Sequence, residues 1–320
     1  MKNIIMLGCW LMLWLVASSQ PTSRPDYHRA DSIALSIKKR WAKDPEILAH
    51  RLTDSLLTEQ EKARAIYRWI TAHIAYDPKA YFDRKKRVFE AEKILKRKRV
   101  VCSGYAILFQ TLCEYAGLES AYVRGYARNE PLKIGRYQRR ALHAWNAVKI
   151  DGKWQFVDTT WGSGWTDLKR RKFTRRLKDD YFLPNQTGFF LSHFPEDSLW
   201  LLEAGMTDKM VFFRSPVPGP AARTTTLRQI VPSEGILRQA PGENIRFYFC
   251  FDQLPLNPYM KILAEPLRKR KNAEPYLVRA VPKAEGEGYV FDFPVPKRGN
   301  YLLRIFLGEE LFFTYRLYAR

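Results

Sequence analysis

Residues 143–161 read HAWNAVKIDGKWQFVDTTW. Two strand-like runs, Ala141 to Ile150 and Trp154 to Thr159, stand on either side of Asp151-Gly152. Asp-Gly is a strong signal for a two-residue hairpin turn, because both central positions take positive φ and these residues tolerate it. Pairing about that turn joins positions whose numbers sum to about 303, so residue 143 falls opposite residues 158–160. The hairpin therefore brings the imidazole of His143 and the carboxylate of Asp158 together across a short loop, at low entropic cost.

The residue such a pair would serve lies upstream. Val100-Val101-Cys102-Ser103-Gly104 precedes an apolar helical run from about Tyr105 to Tyr115, which Gly117 ends. A thiolate at a helix start is stabilised by unpaired N–H groups and the helix dipole. Ser103 and Gly104 leave little bulk over the sulfur, and the Cys102 N–H is placed to meet a developing oxyanion. Cys102 as nucleophile, His143 as proton carrier and Asp158 as orienting acceptor form one constellation. Each residue alone has a bland reading as packing or a strand end; the order and the hairpin single out the three together. Cys113 and Cys250 sit among apolar residues and read as small core side chains. On one helix, Cys102 and Cys113 would be about 16 Å apart, too far for a disulfide.

Further out, Thr58-Glu59-Gln60-Glu61 is a capping box. It opens a helix with Ala65, Ile66, Trp69 and Ile70 at helical spacing, stopping before Asp77-Pro78. His73 on that helix reads as a core-edge residue. Residues 29–55 carry broken helical periodicity, with Ile33, Leu35, Ile37 and Trp41 as burial candidates, and 88–97 suggest a short helix. Ser215-Pro216-Val217-Pro218-Gly219-Pro220 reads as a stiff linker. After it, Ile245, Phe247, Phe249 and Phe251 alternate with Arg246, Tyr248 and Cys250, and Tyr289, Phe291 and Phe293 repeat the pattern, as do Leu303, Ile305 and Leu307. Short alternating strands separated by Pro, Gly and Asn predict an Ig-like β-sandwich. At the other end, Lys2, the apolar run Ile4 to Val16 and the small residues Ala17-Ser18-Ser19 read as an export signal. Cys9 leaves with it.

The predicted organisation is a signal at 1–19, a helical segment at 20–55, an α+β core at 56–214, a linker at 215–222 and an all-β sandwich at 223–320. The chain has 320 residues and a formal charge of +21, a field that favours anionic partners such as acidic peptides, lipid headgroups or cell-wall polymers. Basic segments Arg84 to Arg87, Lys96 to Arg99, Lys133 to Arg140 and Lys169 to Lys178 border the candidate site in sequence. Nucleic acid is disfavoured by the absence of a nucleic-acid motif and by the predicted export.

Val101-Cys102-Ser103-Gly104-Tyr105-Ala106, His143-Ala144-Trp145 and Asp158-Thr159-Thr160-Trp161 resemble the three motifs of the transglutaminase-like superfamily. Tyr67-Arg68-Trp69-Ile70 to Ile74-Ala75-Tyr76-Asp77 is similar to what precedes the cysteine motif there. The runs Asp180 to Pro184 and His193 to Asp197, followed by Trp200-Leu201-Leu202, are similar to the kyphoscoliosis-peptidase branch. The resemblance implies a papain-like core, a Cys102–His143–Asp158 triad, and attack on peptide or protein amides through a thioester, followed by transfer to water or an amine. It implies no metal and no cofactor, since no calcium-site pattern is evident. His193 lies in the matched run and reads as structural, because His143 already fits the hairpin. Inactive scaffolds also occur in the superfamily, so a binding module with an adhesive sandwich is the competing reading.

Overall fold

The computed structural model describes residues 26–201, 207–255, 259–267, 275–280 and 282–320. The export-signal reading and Cys9 lie outside the described residues.

Helices come first. α1 (His28–Ser36) and α2 (Pro45–Thr53) pack on α3 (Glu59–His73) and the helical layer behind it. The capping box forms as predicted: Glu61 N donates to Thr58 Oγ1 at 3.1 Å, and Thr58 N donates to Glu61 Oε2 at 3.2 Å. Ala65, Ile66, Trp69 and Ile70 are fully buried. Two of the burial candidates in and after α1 need correction. Leu35 is 50% exposed and Trp41 only partly covered, while Ile33 and Ile37 are partly buried against the core beside the fully buried Ala30 and Ala34. The small side chains let α1 lie close to α3, where Arg64, 3% exposed, donates to Asp31 at 2.6 and 2.8 Å. His73 stacks on Trp69 at the core edge, with 4.7 Å between ring centroids.

The chain then runs through β1 (Ala75–Tyr76), α4 (Pro78–Phe82), α5 (Ala91–Arg97) and β2 (Arg99–Val100) into α6 (Cys102–Tyr115). The central sheet follows: β3 (Ser120–Ala127), β4 (His143–Ile150), β5 (Lys153–Val157) and, after α7 (Thr159–Gly162), β6 (Gly164–Asp167), β7 (Lys172–Arg175) and α8 (Gln186–Phe190), β8 (His193–Pro195). Its order is β5-β4-β3-β8, antiparallel throughout. Asp151 and Gly152 take φ of 49° and 77°, and Ile150 pairs with Lys153, so the turn sets the register expected from it. Asn146, fully buried, donates to Ala106 O at 2.9 Å and Ala121 O at 3.3 Å, fastening α6 to the sheet.

The segment predicted as a linker still joins the two halves but is sealed into them. After α9 (Lys209–Arg214), β9 (Val217–Pro218) pairs with the last strand, Gly219 N donates to Phe312 O at 2.7 Å, and Ala221 and Ala222 of α10 (Pro220–Thr224) are buried. The remainder is β10 (Leu227–Val231), β11 (Ile236–Gln239), β12 (Asn244–Phe251), β13 (Met260–Pro266), β14 (Tyr276–Ala280), β15 (Lys283–Glu285), β16 (Gly288–Pro294), β17 (Gly299–Leu307) and β18 (Glu310–Ala319). They form two sheets, β10-β12-β16-β15 and β11-β18-β17-β13-β14, antiparallel except for the parallel pair β11–β18. The alternating residues meet between them: Phe247 packs edge-on to Tyr315 at 5.4 Å, and Phe249 stacks with Phe313 at 5.8 Å. The C-terminal region is thus a largely antiparallel two-sheet sandwich. Among the described residues no helix is long and apolar enough to cross a membrane.

Candidate active site

Cys102 opens α6, as its residues predicted. The helix start is tightly seated: a Cβ on Gly104 would lie 2.6 Å from Val100 Cβ, so only glycine lets α6 approach β2 this closely. Cys102 is partly exposed, while Cys113 and Cys250 are buried, and all three are free thiols. The Cys102 Sγ–H points to Leu142 O at 3.8 Å, next in sequence to His143.

His143 opens β4 opposite Gly125, and Asp158 follows β5 and caps α7. His143 Nε2 donates to Asp158 Oδ2 at 2.7 Å, and Trp161 N donates to Asp158 Oδ1 at 2.9 Å. With Nε2 given to the carboxylate, Nδ1 is the ring atom left for the thiol. Burial opposes charge on His143. Asp158, as counter-charge and acceptor, and then Cys102, as hydrogen-bond partner and charge, outweigh it and push the imidazole up to about 10. Burial likewise opposes charge on Asp158, but His143 and then His193 hold its carboxyl well below the usual range.

His193, read from the sequence as structural, meets the site from the core side. It is fully buried, and its Nε2 donates to the same Asp158 Oδ2 at 3.1 Å. β8 pairs with β3 so that His193 faces Ala127, two residues from the Gly125 that faces His143, which puts both rings on one face. The carboxylate only accepts, so Nε2 carries the hydrogen. Ser192 Oγ lies 2.9 Å from the other nitrogen, Nδ1, and 3.0 Å from Phe189 O, two acceptors for its single hydrogen. Burial pushes His193 down to about 4 against the pull of Asp158, so the ring is neutral. Phe189 stacks on it at 4.0 Å and Trp161 lies 4.6 Å away. His143, Asp158 and His193 form a compact group of metal-ligand residue types, but each of the three donors around Asp158 is already used in a hydrogen bond.

Cys102 and His143 line one groove of about 580 Å³, walled by Tyr76, Tyr81, Tyr137, Trp161 and Trp165. The basic segments contribute less to it than their positions in sequence suggest. Lys133, Arg136 and Lys178 line the groove. Arg97 instead pairs with Asp77 at 2.6 Å, Arg87 donates to Ala80 O, and Arg175 donates to the carbonyls of Thr71 and Ile74. These cations satisfy carboxylate and backbone acceptors.

A cysteine at a helix start, an imidazole from the next sheet and a buried carboxylate across a hairpin thus sit on a mixed helix and sheet core. Residues 46–159 match the sequence profile of the Transglutaminase-like superfamily and form a transglutaminase-like domain. Kyphoscoliosis peptidase of Mus musculus is 33% identical over 196 residues, covering 57% of this chain and 30% of that protein. Its Homo sapiens counterpart is 34% identical over 184 residues, covering 54% and 28%. A solved structure of a TGase is 17% identical with a TM-score of 0.28, covering 45% of this chain and 35% of that one. The chain spans less than a third of the length of the two curated relatives.

Proposed function

We propose that this protein is an exported cysteine-dependent amide hydrolase or acyl transferase, with Cys102 as nucleophile, His143 as base and acid, and Asp158 as orienter. The observation that carries the proposal is the His143–Asp158 pair at 2.7 Å, its imidazole pushed up to about 10 beside a partly exposed thiol. An imidazolium at neutral pH is the counter-charge a thiolate needs. The thiolate attacks an amide carbonyl, His143 hands its proton to the departing amine, and a thioester remains on Cys102. His143 then takes a proton from water or a second amine, which attacks the thioester and releases the acyl group. Hydrolysis is favoured over transfer, because Cys102 lies in an open groove that water reaches and because the mouse and human relatives are named peptidases. Arg136 and Lys178 along the groove, where Lys133 is paired with Glu130 at 2.5 Å, favour peptide or protein substrates with anionic groups, cell-wall peptides among them. Export rests on the apolar run from Ile4 to Val16.

Iodoacetamide at pH 6 tests the reading, since an ordinary thiol of pKa about 8.5 reacts slowly there. Cys102 is expected to label fast and selectively, His143→Ala to slow it, and Cys102→Ala to abolish cleavage in a peptide-amide library. Equally slow labelling of all three cysteines would return the protein to the scaffold reading.

A further inference from the structure

A cluster of arginines on the outer face of the sandwich stands outside the groove. We propose that Arg238, Arg316 and Arg320, gathered about Tyr318, form a docking site for an acidic segment of the polypeptide substrate whose scissile amide lies in the Cys102 groove. This assignment rests on the thiol-acyl reading of that groove.

Strand geometry builds the face. Along β18 the side chains of Tyr315, Leu317 and Ala319 are buried in the sandwich core, so Arg316, Tyr318 and Arg320 point outward. β11 runs parallel to β18 with Arg238 opposite Tyr318. The guanidinium carbons of Arg238, Arg316 and Arg320 lie 5.6, 5.3 and 5.2 Å from the centroid of the Tyr318 ring. Cation–π attraction to one ring offsets part of their mutual repulsion, but neighbouring like charges on a sheet face still oppose folding. A counter-charge is what the cluster lacks. Among the described residues none of these arginines has a carboxylate partner, whereas Arg228, Arg246, Lys261 and Arg304 of the same sandwich each reach one. Arg316 donates to the Tyr318 hydroxyl and, at 3.5 Å, to Leu132 O, yet its Nε is enclosed with no hydrogen-bond partner.

The chemistry of the partner follows from the donors. A guanidinium offers paired N–H groups that match both oxygens of a carboxylate. Arg316 and Arg320 stand about 13 Å apart along β18, a span that acidic side chains of one extended peptide cover.

Continuity with the groove selects a polypeptide over a lipid surface. Leu132, which Arg316 touches, belongs to the short turn Pro131–Lys133, and Lys133 and Arg136 of the same loop line the groove with Cys102. The loop is fixed in place: Ile134 is buried, Gly135 N donates to Phe213 O at 2.7 Å, and a Cβ on Gly135 would lie 3.1 Å from Ile236 Cδ1 of β11. One loop therefore borders the groove and the arginine face together. A chain held in the groove crosses that loop to bring its flanking residues to Arg316. Docking there raises the local concentration of the amide at Cys102 without touching the reacting atoms.

Two probes separate binding from chemistry. Fluorescein-labelled octaglutamate, titrated into the full chain at low salt, reads the face alone. Arg238→Gln/Arg316→Gln/Arg320→Gln is expected to weaken its binding about tenfold or more. Arg228→Gln/Arg246→Gln/Lys261→Gln, which removes the same charge from paired positions, should weaken it only about twofold. Iodoacetyl-octaglutamate reagents with glycine linkers of increasing length read the path to the groove. Wild-type Cys102 is expected to label about tenfold faster with the best linker than with an octaserine counterpart. That advantage should vanish in the first triple variant, while plain iodoacetamide reacts with it as with wild type. Equal octaglutamate affinity in the two triple variants, or no linker that speeds labelling, overturns the docking site. Phosphatidylserine vesicles that bind through the same arginines when octaglutamate does not would make the face a lipid contact and overturn the peptide assignment. A Cys102 that the tethered reagent labels fast but p-nitrophenyl acetate never acylates overturns the thiol-acyl reading and leaves the acidic-peptide face standing.

Discussion

The groove side and the core side of Asp158 hold the same chemical group against the same oxygen, with opposite outcomes. On the groove side His143 gains the carboxylate and the thiol as partners and is pushed up to about 10. On the core side His193 meets Phe189, Trp161 and Trp145, has the Ser192 hydroxyl 2.9 Å from its second nitrogen, and is pushed down to about 4. Desolvation acts on both rings; the number of acceptors each ring finds decides which is charged. One carboxylate thereby holds one imidazole as a proton carrier and uses the other as a fixed neutral donor.

Removing the shared oxygen's charge breaks the comparison outright. Asp158→Asn keeps an acceptor for Trp161 N and should fold, but it withdraws the counter-charge from His143. Acylation of Cys102 by p-nitrophenyl acetate is expected to fall by about 10³-fold or more. A loss below tenfold would mean that Asp158 is only a helix cap.

Changing the core side alone should cost less. His193→Phe deletes one hydrogen bond to a charged acceptor and is expected to lower acylation about tenfold. His193→Gln, which retains a donor toward Asp158, should recover most of it. Gln as poor as Phe would make His193 a packing residue.

Stability sharpens the contrast through pH. The depressed carboxyl of Asp158 contributes stability above its unfolded value of about 4, lost as pH falls toward its folded value. His193, neutral when folded, contributes stability that is complete above about 6.5 and lost as pH falls through about 4. His143 contributes the reverse: its part is complete below about 6.5 and lost as pH rises through about 10. Denaturant titrations should therefore show a shallower acid limb in His193→Gln and a shallower alkaline limb in His143→Gln, each by up to one proton. Identical limbs in either variant and wild type would refute the assigned charge states.

The smallest effect lies at the groove wall. Arg136→Gln should lower kcat/KM for acidic peptides a few-fold at low salt and leave it unchanged at about 1 M salt, where the Debye length is about 3 Å. A salt-independent loss would point to a direct contact instead of a field.

Local chemistry was legible in the chain. Thr58 and Glu61 announce the start of α3, Asp151-Gly152 sets the register that joins His143 to Asp158, and the alternation from Ile245 to Phe251 declares the inner face of β12. Each of these is decided within a few residues, by a cap, a turn or a side-chain period, and physics acting over that span leaves a pattern in sequence. Only the tertiary structure brought His193 to Asp158 across 35 positions, exposed Leu35 while burying Ala34, closed 215–222 into the body and turned Arg97 and Arg175 onto internal acceptors. Those outcomes depend on which surfaces meet after the strands have paired, and no local period encodes a partner that distant.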